Sequence, residues 1–385
     1  MQIEKVRALI EQERQEFLEK WISLASVSGT ARETEAMDRV CKLLQVFFEE
    51  EGYRCQRLKS GEGTPDVLVG TRGEGPENER ILFTGHYDTV FHENEWNDAP
   101  FAADGKLRGP GVLDMKGGIM TALFTSRVLS EIGLGNYPLK VVFVGDEEIG
   151  HQGSDSVEIL KKESKGMAWA LNLETGFENA DICIGRKGTA TCVVKTHGIA
   201  SHPGNAFEKG RNAVLEMAHK IEKLSKLTNL EKGISVSVGV IQGGKAANII
   251  PDFCQAALDL RYMTMEDFEL LKEQISDICR SSIVEDTRTE FYYTEMIPPF
   301  ETTPGVRTLF ERVRAVAEKV GQGEIMGHIR GGASDAAYIG QTGTPVLCSM
   351  GVSGAGSHSY DEYADIESLT ARTMLLVYLI AEDGR

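Results

Sequence analysis

The sequence is poor in cysteine and lacks long apolar runs, and each shortage excludes a class of protein. Its seven cysteines are scattered over 385 residues and no C-x-x-C pair occurs, so reduced core thiols are expected rather than a disulfide framework. The apolar stretch at residues 374–381 has eight residues, whereas a membrane-spanning helix needs roughly 20. A disulfide scaffold and a membrane-spanning protein are therefore not expected.

Basic residues are also in short supply, since 41 Lys and Arg stand against 58 Asp and Glu. The resulting net charge of −17 argues against nucleic acid and anionic membrane surfaces as partners, because both bind positive patches. Residues 1–24 are rich in Glu, Lys and Arg and contain no apolar core of signal-peptide length. We therefore expect a cytoplasmic protein.

Three motifs of common catalytic and nucleotide-binding classes are missing as well. There is no G-x-S-x-G nucleophile turn, no G-x-x-x-x-G-K-S/T phosphate loop and no G-x-G-x-x-G after a strand. Residues 243–251 (GGKAANIIP) contain glycines and a lysine without the phosphate-loop spacing. The serine-hydrolase and nucleotide-binding classes are thus disfavoured.

The chain does contain an alternation of apolar strand candidates and helices. A length of 385 residues suggests about two domains. Helices are predicted for residues 1–24, 32–52 and 116–133. Near-continuous apolar runs predict strands at 66–70, 80–90, 139–145, 169–175 and 345–351. Such runs, alternating with helices, predict an α/β domain whose mostly parallel sheet is covered by helices on both faces.

The middle of the chain follows a different order. From about residue 185 to 300 the elements run strand, helix, strand, strand, helix, strand. This β-α-β-β-α-β order is the ferredoxin-like pattern, and it ends at the breaker Pro298-Pro299. We therefore predict that residues 1–184 and 301–385 form one α/β domain, and that residues 185–300 form a small domain inserted into it.

Residues of metal-ligating or acid–base type follow the apolar strands or lie in glycine-rich loops: His86, Asp88, Asp114, Glu147, Glu148, Glu174 and His358. Each has an ordinary structural explanation when taken alone, as a loop residue, a helix N-cap or part of a charged turn. The joint pattern favours a site, because ligands gather outside the carboxyl ends of strands in open α/β sheets.

The stretch VVFVGDEEIG, residues 141–150, shows why a cation is expected. Adjacent carboxylates raise each other's pKa and are costly unless a cation lies among them. Two histidines and three carboxylates suit a pair of divalent ions that share one carboxylate. Of Glu147 and Glu148, one would ligate a metal and the other would act as general base. Asp146 is assigned no role and is interpreted as a turn residue.

Blocks of sequence from about residue 80 to the end resemble a known family. They are GHYDTV, GPGVLDMKGG, GDEEIG, NLETG, GIASHPGNAFEKGRNAV, NIIPD, DLRYM, RGGASDAAY and SHSYDEY. In order and spacing they resemble the di-zinc family that contains glutamate carboxypeptidase, acetylornithine deacetylase, succinyl-diaminopimelate desuccinylase and aminoacylase. The resemblance implies a metal-dependent hydrolase of amide bonds.

The resemblance also implies a ligand set. Two divalent ions per chain, zinc in the first place and cobalt or manganese as alternatives, would be held by His86, Asp114, Glu148, Glu174 and His358. Asp114 would bridge both ions. His86 and Glu174 would complete one metal site, and Glu148 and His358 would complete the other.

Further roles follow from the same resemblance. Glu147 would be the general base that takes a proton from the metal-bridging water, and Asp88 would hold His86. The inserted domain would be a lid through which two copies form a homodimer. His202 would reach the neighbouring subunit's site and stabilise the tetrahedral oxyanion, although without the resemblance it reads as an exposed loop histidine.

Substrate recognition is likewise implied by resemblance. Arg261 would clamp the free carboxylate of the substrate, Asn248 would contact the substrate, and Arg330 is either a second carboxylate contact or a surface residue. Glutamate at position 174 matches the family's carboxypeptidases and deacylases, whereas its amino- and dipeptidases more often carry aspartate there. Residues 256–268 (AALDLRYMTMEDF) resemble glutamate carboxypeptidase.

We therefore expect release of a C-terminal amino acid, with glutamate as the first candidate, from a small peptide or N-acyl amino acid. The alternatives are an N-acyl-amino-acid deacylase, an aminopeptidase or dipeptidase of the same family, and a ligand-binding relative without activity.

Overall fold

The computed structural model describes residues 3–96 and 98–383, and the chain forms two compact units. Unit 1 comprises Met1–Ile184, Thr302–Ile329 and Ser334–Arg385, and unit 2 comprises Gly185–Glu301 and Arg330–Ala333. Most of unit 2 is therefore one continuous insertion into the chain of unit 1. Within the described residues, no helix combines the length and apolarity needed to cross a bilayer.

The helices and strands alternate along the chain. The helices are α1 (Ile3–Ala25), α2 (Thr34–Glu50), α3 (Gly117–Leu129), α4 (Ser156–Ser164), α5 (Ala213–Ser225), α6 (Met265–Arg280), α7 (Pro304–Lys319), α8 (Ala336–Gly340) and α9 (Ile366–Ala381). The strands are β1 (Arg54–Leu58), β2 (Val67–Arg72), β3 (Ile81–His86), β4 (Phe101–Ala103), β5 (Lys106–Arg108), β6 (Leu139–Val144), β7 (Trp169–Asn172), β8 (Ile182–Arg186), β9 (Gly188–His197), β10 (Ser235–Gly243), β11 (Phe253–Tyr262), β12 (Arg288–Ile297), β13 (Gly327–Arg330), β14 (Val346–Leu347), β15 (Gly354–Ala355) and β16 (Tyr363–Asp365).

Unit 1 is built on a sheet with the strand order β1-β2-β6-β3-β7-β14. Neighbours β6, β3, β7 and β14 run parallel to one another. On the other side of β6, β2 pairs with β6 in the antiparallel direction, and β1 pairs with β2 in the antiparallel direction at the edge of the sheet. Every residue of β3, β6 and β7 is buried, so both faces of the sheet are covered. The predicted α/β class is confirmed, although the strand predicted at 345–351 is reduced to Val346–Leu347.

Helix α3 is the buried centre of a helix layer in unit 1. It packs against α1 and α9, and nearly all of its residues are buried. Its first turn lies directly against the chain after β7, since a Cβ added to Gly118 would lie 1.9 Å from the carbonyl oxygen of Leu173. Only glycine permits this approach, so the glycines of GPGVLDMKGG bring the start of α3 beside the end of β7.

Unit 2 has the β-α-β-β-α-β order that the sequence predicts, with the elements β9, α5, β10, β11, α6 and β12. Its strands form an antiparallel sheet of order β10-β11-β9-β12. Alternate residues of β9 and β11 are buried, and α5 and α6 pack on that face. The two helices are N-capped by Asn212 and Thr264, whose side chains accept backbone N–H bonds of the first turn.

Candidate metal centre

Three of the predicted ligands lie at one edge of the sheet in unit 1. His86 is the last residue of β3, Glu148 lies in the turn after β6, and Glu174 follows β7 by two residues. Strands β6, β3 and β7 are neighbours and run parallel, so their carboxyl ends meet at the same edge. The order and direction of the strands therefore bring three distant parts of the sequence together.

Two loops bring the remaining predicted ligands to this edge. Asp114 lies in the turn before α3, and its peptide bond to Met115 is cis. The turn begins after Gly111, which has a φ of 67°. His358 lies in the loop between β15 and β16, and its side chain is 54% exposed, whereas that of His86 is 1% exposed. One side of the site is thus open and the other is deeply buried.

The five side chains form two groups of three that share Asp114. In the first group, His86 Nε2 lies 3.3 Å from Asp114 Oδ1 and 3.8 Å from Glu174 Oε1. In the second, His358 Nε2 lies 3.4 Å from Asp114 Oδ2 and 3.2 Å from Glu148 Oε1. The two oxygens of one carboxylate therefore face two different histidines.

These spacings fit divalent metal ions. A tetrahedral zinc ion with bonds of about 2.0–2.1 Å separates its ligand atoms by about 3.4 Å. The donors are imidazole nitrogens and carboxylate oxygens, a set that suits zinc and other divalent ions of the first transition row. Each group can hold one ion, with Asp114 common to both.

The pKa values of these groups show that the buried carboxylates require positive charge nearby. Burial alone would raise the pKa of Asp114, but hydrogen bonds from His358 and His86 hold it well below its usual range. Hydrogen bonds to Asp114 and Glu148 raise the pKa of His358 to about 10. Burial raises the pKa of Glu174 well above its ordinary value. The histidine protons compensate the carboxylates here, and divalent ions would displace those protons on binding.

Asp88 joins two elements of the site. Its carboxylate lies 3.3 Å from His86 Nδ1, where it can orient the imidazole ring. The same carboxylate accepts hydrogen bonds from the backbone nitrogens of Glu147, at 3.3 Å, and Glu148, at 3.1 Å. Asp88 therefore ties the end of β3 to the turn after β6, and the sequence indicates only the first of these contacts.

Glu147 lies half-buried in the turn after β6, next to Glu148. Its carboxylate belongs to neither group of ligands among the described residues. Burial, together with the nearby charge of Asp335, raises the pKa of Glu147 to about 8, although the charge of His86 opposes the shift. The carboxylate of Glu147 therefore lies beside the two candidate ligand groups and outside both of them.

Comparison with known proteins identifies the family. The profile of peptidase family M20/M25/M40 matches residues 82–382. Carboxypeptidase G2 from Pseudomonas sp. (strain RS-16) is 30% identical over 373 residues, which cover 95% of this chain and 88% of that protein. The chain belongs to peptidase family M20/M25/M40. It is accordingly a hydrolase of a metallopeptidase family, and the predicted family is confirmed.

Other relatives of this M20-family chain differ in their named activities. Acetylornithine deacetylase from Myxococcus xanthus is 26% identical, over 93% of this chain and 98% of that protein. The structure of aminopeptidase PepT from Bacillus cereus ATCC 10987 matches with a TM-score of 0.80 at 23% identity, over 96% of this chain and 99% of that chain. The latter likeness shows the shared fold.

The remaining predicted residues of the M20-family site lie in unit 2, at two different ends of its sheet. His202 and Asn248 are exposed, in loops that a β-bridge between Ser201 and Ile250 joins. These loops follow β9 and precede β11, and they meet at the end of the sheet where Phe253 pairs with His197. His202 Nδ1 accepts a hydrogen bond from the backbone nitrogen of Gly204 at 3.1 Å.

Arg261 and Arg330 lie at the opposite end of that sheet. Arg261 pairs with Thr189 at the start of β9, and the backbone nitrogen of Lys187 donates to the carbonyl of Arg330. The Nε and Nη2 groups of Arg261 each donate to Asp259 at 2.9 Å. The step along β11 from its first residue to Arg261 spans about 26 Å at roughly 3.3 Å per residue. Unit 2 therefore does not bring its four predicted residues together.

Sequence reasoning missed four buried polar residues of unit 1: Asp146, His151, Asp335 and Glu362. Asp146 does lie at the start of the turn after β6, as interpreted from the sequence, but the sequence gives no sign of its buried contacts. Asp146 is 1% exposed, and its carboxylate accepts hydrogen bonds from His151 Nδ1 and Ser156 Oγ, both at 2.9 Å. Asp335 and Glu362 lie in the motifs RGGASDAAY and SHSYDEY, which carry the resemblance without indicating what either acid touches.

Proposed function

We propose that this M20-family hydrolase is a two-metal carboxypeptidase that cleaves an amide bond and releases the C-terminal amino acid of a small peptide or N-acyl amino acid. The observation that carries the proposal is the pair of ligand groups sharing Asp114, with Glu147 beside them. Glutamate is the first candidate for the released residue, because residues 256–268 resemble glutamate carboxypeptidase. A relative named carboxypeptidase G2 supports the choice of a carboxypeptidase.

The two groups of ligands would each hold one divalent ion, with zinc in the first place and cobalt or manganese as alternatives. When bound, such ions polarise the scissile carbonyl and lower the pKa of a water molecule between them. Asp114, with one oxygen toward each histidine, would keep the two sites at a fixed separation.

Glu147 would perform the proton transfers of the reaction. Its carboxylate would take a proton from the attacking water and deliver that proton to the leaving amine nitrogen. Asp88 would keep the two glutamates in separate roles, because its hydrogen bonds fix the backbone of both residues in the turn. Glu148 then points to His358, and Glu147 stays outside the ligand set.

Residues of unit 2 would bind the substrate. The Asp259 pair uses the Nε side of the Arg261 guanidinium, which leaves the N–H groups of its outer edge for a substrate carboxylate. Arg330 lies at the same end of the sheet and would add to this contact. His202 would stabilise the oxyanion, and Asn248 would hold the substrate from the neighbouring loop.

A homodimer through unit 2 is the second part of the proposal. Because His202 and Asn248 lie at the opposite end of the sheet from Arg261 and Arg330, we propose that each site takes the first pair from the other copy. Edge strand β10 exposes Val240 and Ile241, at 51% and 53%, and would form the contact between copies.

Complementation between two inactive variants tests this arrangement. His202→Ala and Arg261→Ala should each be inactive, and mixing them should restore about one quarter of wild-type activity, the statistical value for random re-pairing of subunits in a dimer. Sedimentation equilibrium of the wild type should give two chains per particle. A monomeric wild type, or a mixture that stays inactive despite measured subunit exchange, would contradict the dimer.

A substrate panel tests the reaction itself. One dipeptide should be assayed in four forms, with and without an N-acetyl block and with a free or amidated C-terminus. The blocked peptide with a free carboxylate should be cleaved fastest, and amidation should abolish cleavage. Faster cleavage of the unblocked peptide would indicate an aminopeptidase or dipeptidase. Inactivity of the fully metallated protein on all forms, and on a set of acyl amino acids, would indicate a ligand-binding relative.

Glu147→Gln tests the assigned base. The variant should keep two metal equivalents, because Glu147 lies outside both ligand groups, and its kcat should fall roughly 10²–10⁴-fold. Metal content by atomic emission and kcat by product release are the measurements. Glu158→Gln, an exposed change on α4, is the matched control. Unchanged turnover of the Glu147 variant would remove the base from the mechanism.

A further inference from the structure

A histidine outside the ligand set closes the turn that carries Glu147 and Glu148. The backbone nitrogen of His151 donates to the carbonyl of Asp146 at 2.9 Å. The ring of the same histidine reaches back, and its Nδ1 lies 2.9 Å from Asp146 Oδ1. Two bonds between the same two residues therefore close residues 146–151 into a loop that contains both glutamates.

The far side of the His151 ring is tied to another element. Its Nε2 lies 2.8 Å from Oδ1 of Asp335, the residue immediately before α8. Ionised carboxylates only accept hydrogen bonds, so both ring nitrogens must donate and the imidazole carries a positive charge. Burial alone would lower the pKa of His151, but the charge of Asp335 and the bonds to both carboxylates raise it to about 11.

Two features of the buried hydrogen bonds that join Asp146, His151 and Asp335 indicate that they serve more than packing. His151 has a φ of 57°, in the left-handed region that residues other than glycine rarely adopt. Among the described residues, Oδ2 of Asp335 is buried without a hydrogen-bond partner. Asp335 also lies close enough to Glu147 for its charge to act on that carboxyl group. Both features carry a cost in free energy, so each calls for an explanation beyond packing.

We propose that His151 is a positioning residue for Glu147: by joining Asp146 to Asp335, it fixes the turn after β6 against the start of α8 and holds the base in place. The Asp146 end of this connection is secured, since Asp146 also accepts hydrogen bonds from Ser154 and Ser156. The proposal rests on the hydrolase function proposed above, because Glu147 needs a fixed position only if it transfers protons.

Two substitutions of His151 test the proposal. His151→Gly relieves the backbone strain and removes the ring, whereas His151→Asn tolerates a positive φ and can bond to only one of the two carboxylates. In both variants kcat should fall about 10–100-fold, the usual cost of losing a residue that orients a metal site, while KM changes less than about threefold. Two metal equivalents should remain bound in each.

The matched control is His328→Asn. His328 also bonds to a carboxylate, with its Nε2 2.6 Å from Asp181 Oδ2, but it is 45% exposed and belongs to neither ligand group. Its kcat should equal that of the wild type. A purely structural role for His151 predicts less folded protein with normal kcat per metallated chain, and that result would overturn the proposal.

A double-mutant cycle separates one shared connection from two independent effects. Asp335→Asn should lower kcat as His151→Asn does, and the double variant should be no slower than the slower single variant, because both changes break the same bond. If the fold-losses in kcat of the two single variants multiply in the double variant, the two residues act independently and the shared connection is contradicted.

Histidine ¹⁵N spectra supply a readout that needs no activity. Both nitrogens of His151 should carry protons at neutral pH in the wild type, with the two signals identified by their loss in His151→Asn. A neutral His151 ring would overturn the connection. If the connection is present but the wild type hydrolyses no substrate, the proposed function fails and the connection is retained as a structural feature only.

Discussion

Glu362 shows how a single residue can organise the candidate metal centre without belonging to either ligand group. Its carboxylate is 1% exposed and accepts backbone N–H bonds from Leu113 at 2.8 Å, Asp114 at 3.1 Å and Gly111 at 3.3 Å. Burial raises the pKa of Glu362 to about 7, although these bonds oppose the shift. The carboxylate therefore fixes the backbone of the turn from which Asp114 reaches both histidines.

Substitution of Glu362 should weaken metal binding. Glu362→Gln preserves the size of the side chain but replaces one acceptor oxygen with an NH₂ group, which would face backbone donors. We expect the affinity for divalent ions to fall about 10–100-fold, as for other groups that orient metal ligands. Competition with a chelating dye measures this affinity. Glu367→Gln, in which the replaced side chain is 73% exposed on α9, is the control, and equal affinities in both variants would contradict the assigned role.

Contacts of this kind mark the limit of prediction at the residue scale. His86, Asp114, Glu148, Glu174 and His358 stand out because ligand-type side chains follow apolar strands or lie in glycine-rich loops. Glu362 and Asp335 also have carboxylate side chains. The partner of Glu362 is a backbone turn and the partner of Asp335 is a histidine, and both partners are far away in the sequence. No local pattern distinguishes them from solvated acids, since the contact exists only after the fold has formed.

At the scale of elements, the apolar runs predict the sheet well where strands are buried on both faces. The run at 139–145 becomes β6, and every residue of that strand is buried. The run at 345–351 is also largely apolar but pairs as a strand only at Val346–Leu347. Beyond it, the chain turns to other partners, with Gly351 donating to the carbonyl of Glu174. Burial explains the apolar composition in both cases, so periodicity alone cannot separate them.

Strand direction explains why the position of the site could be predicted from the sequence before its geometry was known. Parallel neighbours end at the same edge, so ligand-type residues at or just after the ends of β3, β6 and β7 must converge. The loops that carry Asp114 and His358 obey no such rule. Their placement depends on the approach of Gly118 to Leu173 and on the position of the short strands β15 and β16.

At the scale of the whole molecule, the two units have separate cores, and the candidate ligand groups belong to only one of them. The core of unit 2 is formed by one face of its sheet and by α5 and α6, with Met217, Phe268, Leu271 and Ile275 among its buried residues. Both ligand groups belong to unit 1. Divalent ions bound by these groups would therefore stabilise the folded form of unit 1 by mass action, whereas unit 2 contains neither of the two groups.

Removal of the metal should consequently distinguish the unfolding transitions of the two units in a calorimetric experiment. We expect two unfolding transitions, of which a chelator lowers only the one that belongs to unit 1. Ile275→Ala, at a position that is 0% exposed in the core of unit 2, should lower the other transition, since such a cavity costs about 2–5 kcal/mol. Ile283→Ala, at a position that is 52% exposed in the same unit, is the control and should leave both transitions unchanged. If the chelator and Ile275→Ala shift the same transition, the two units unfold as one, and the division of stability between them is wrong.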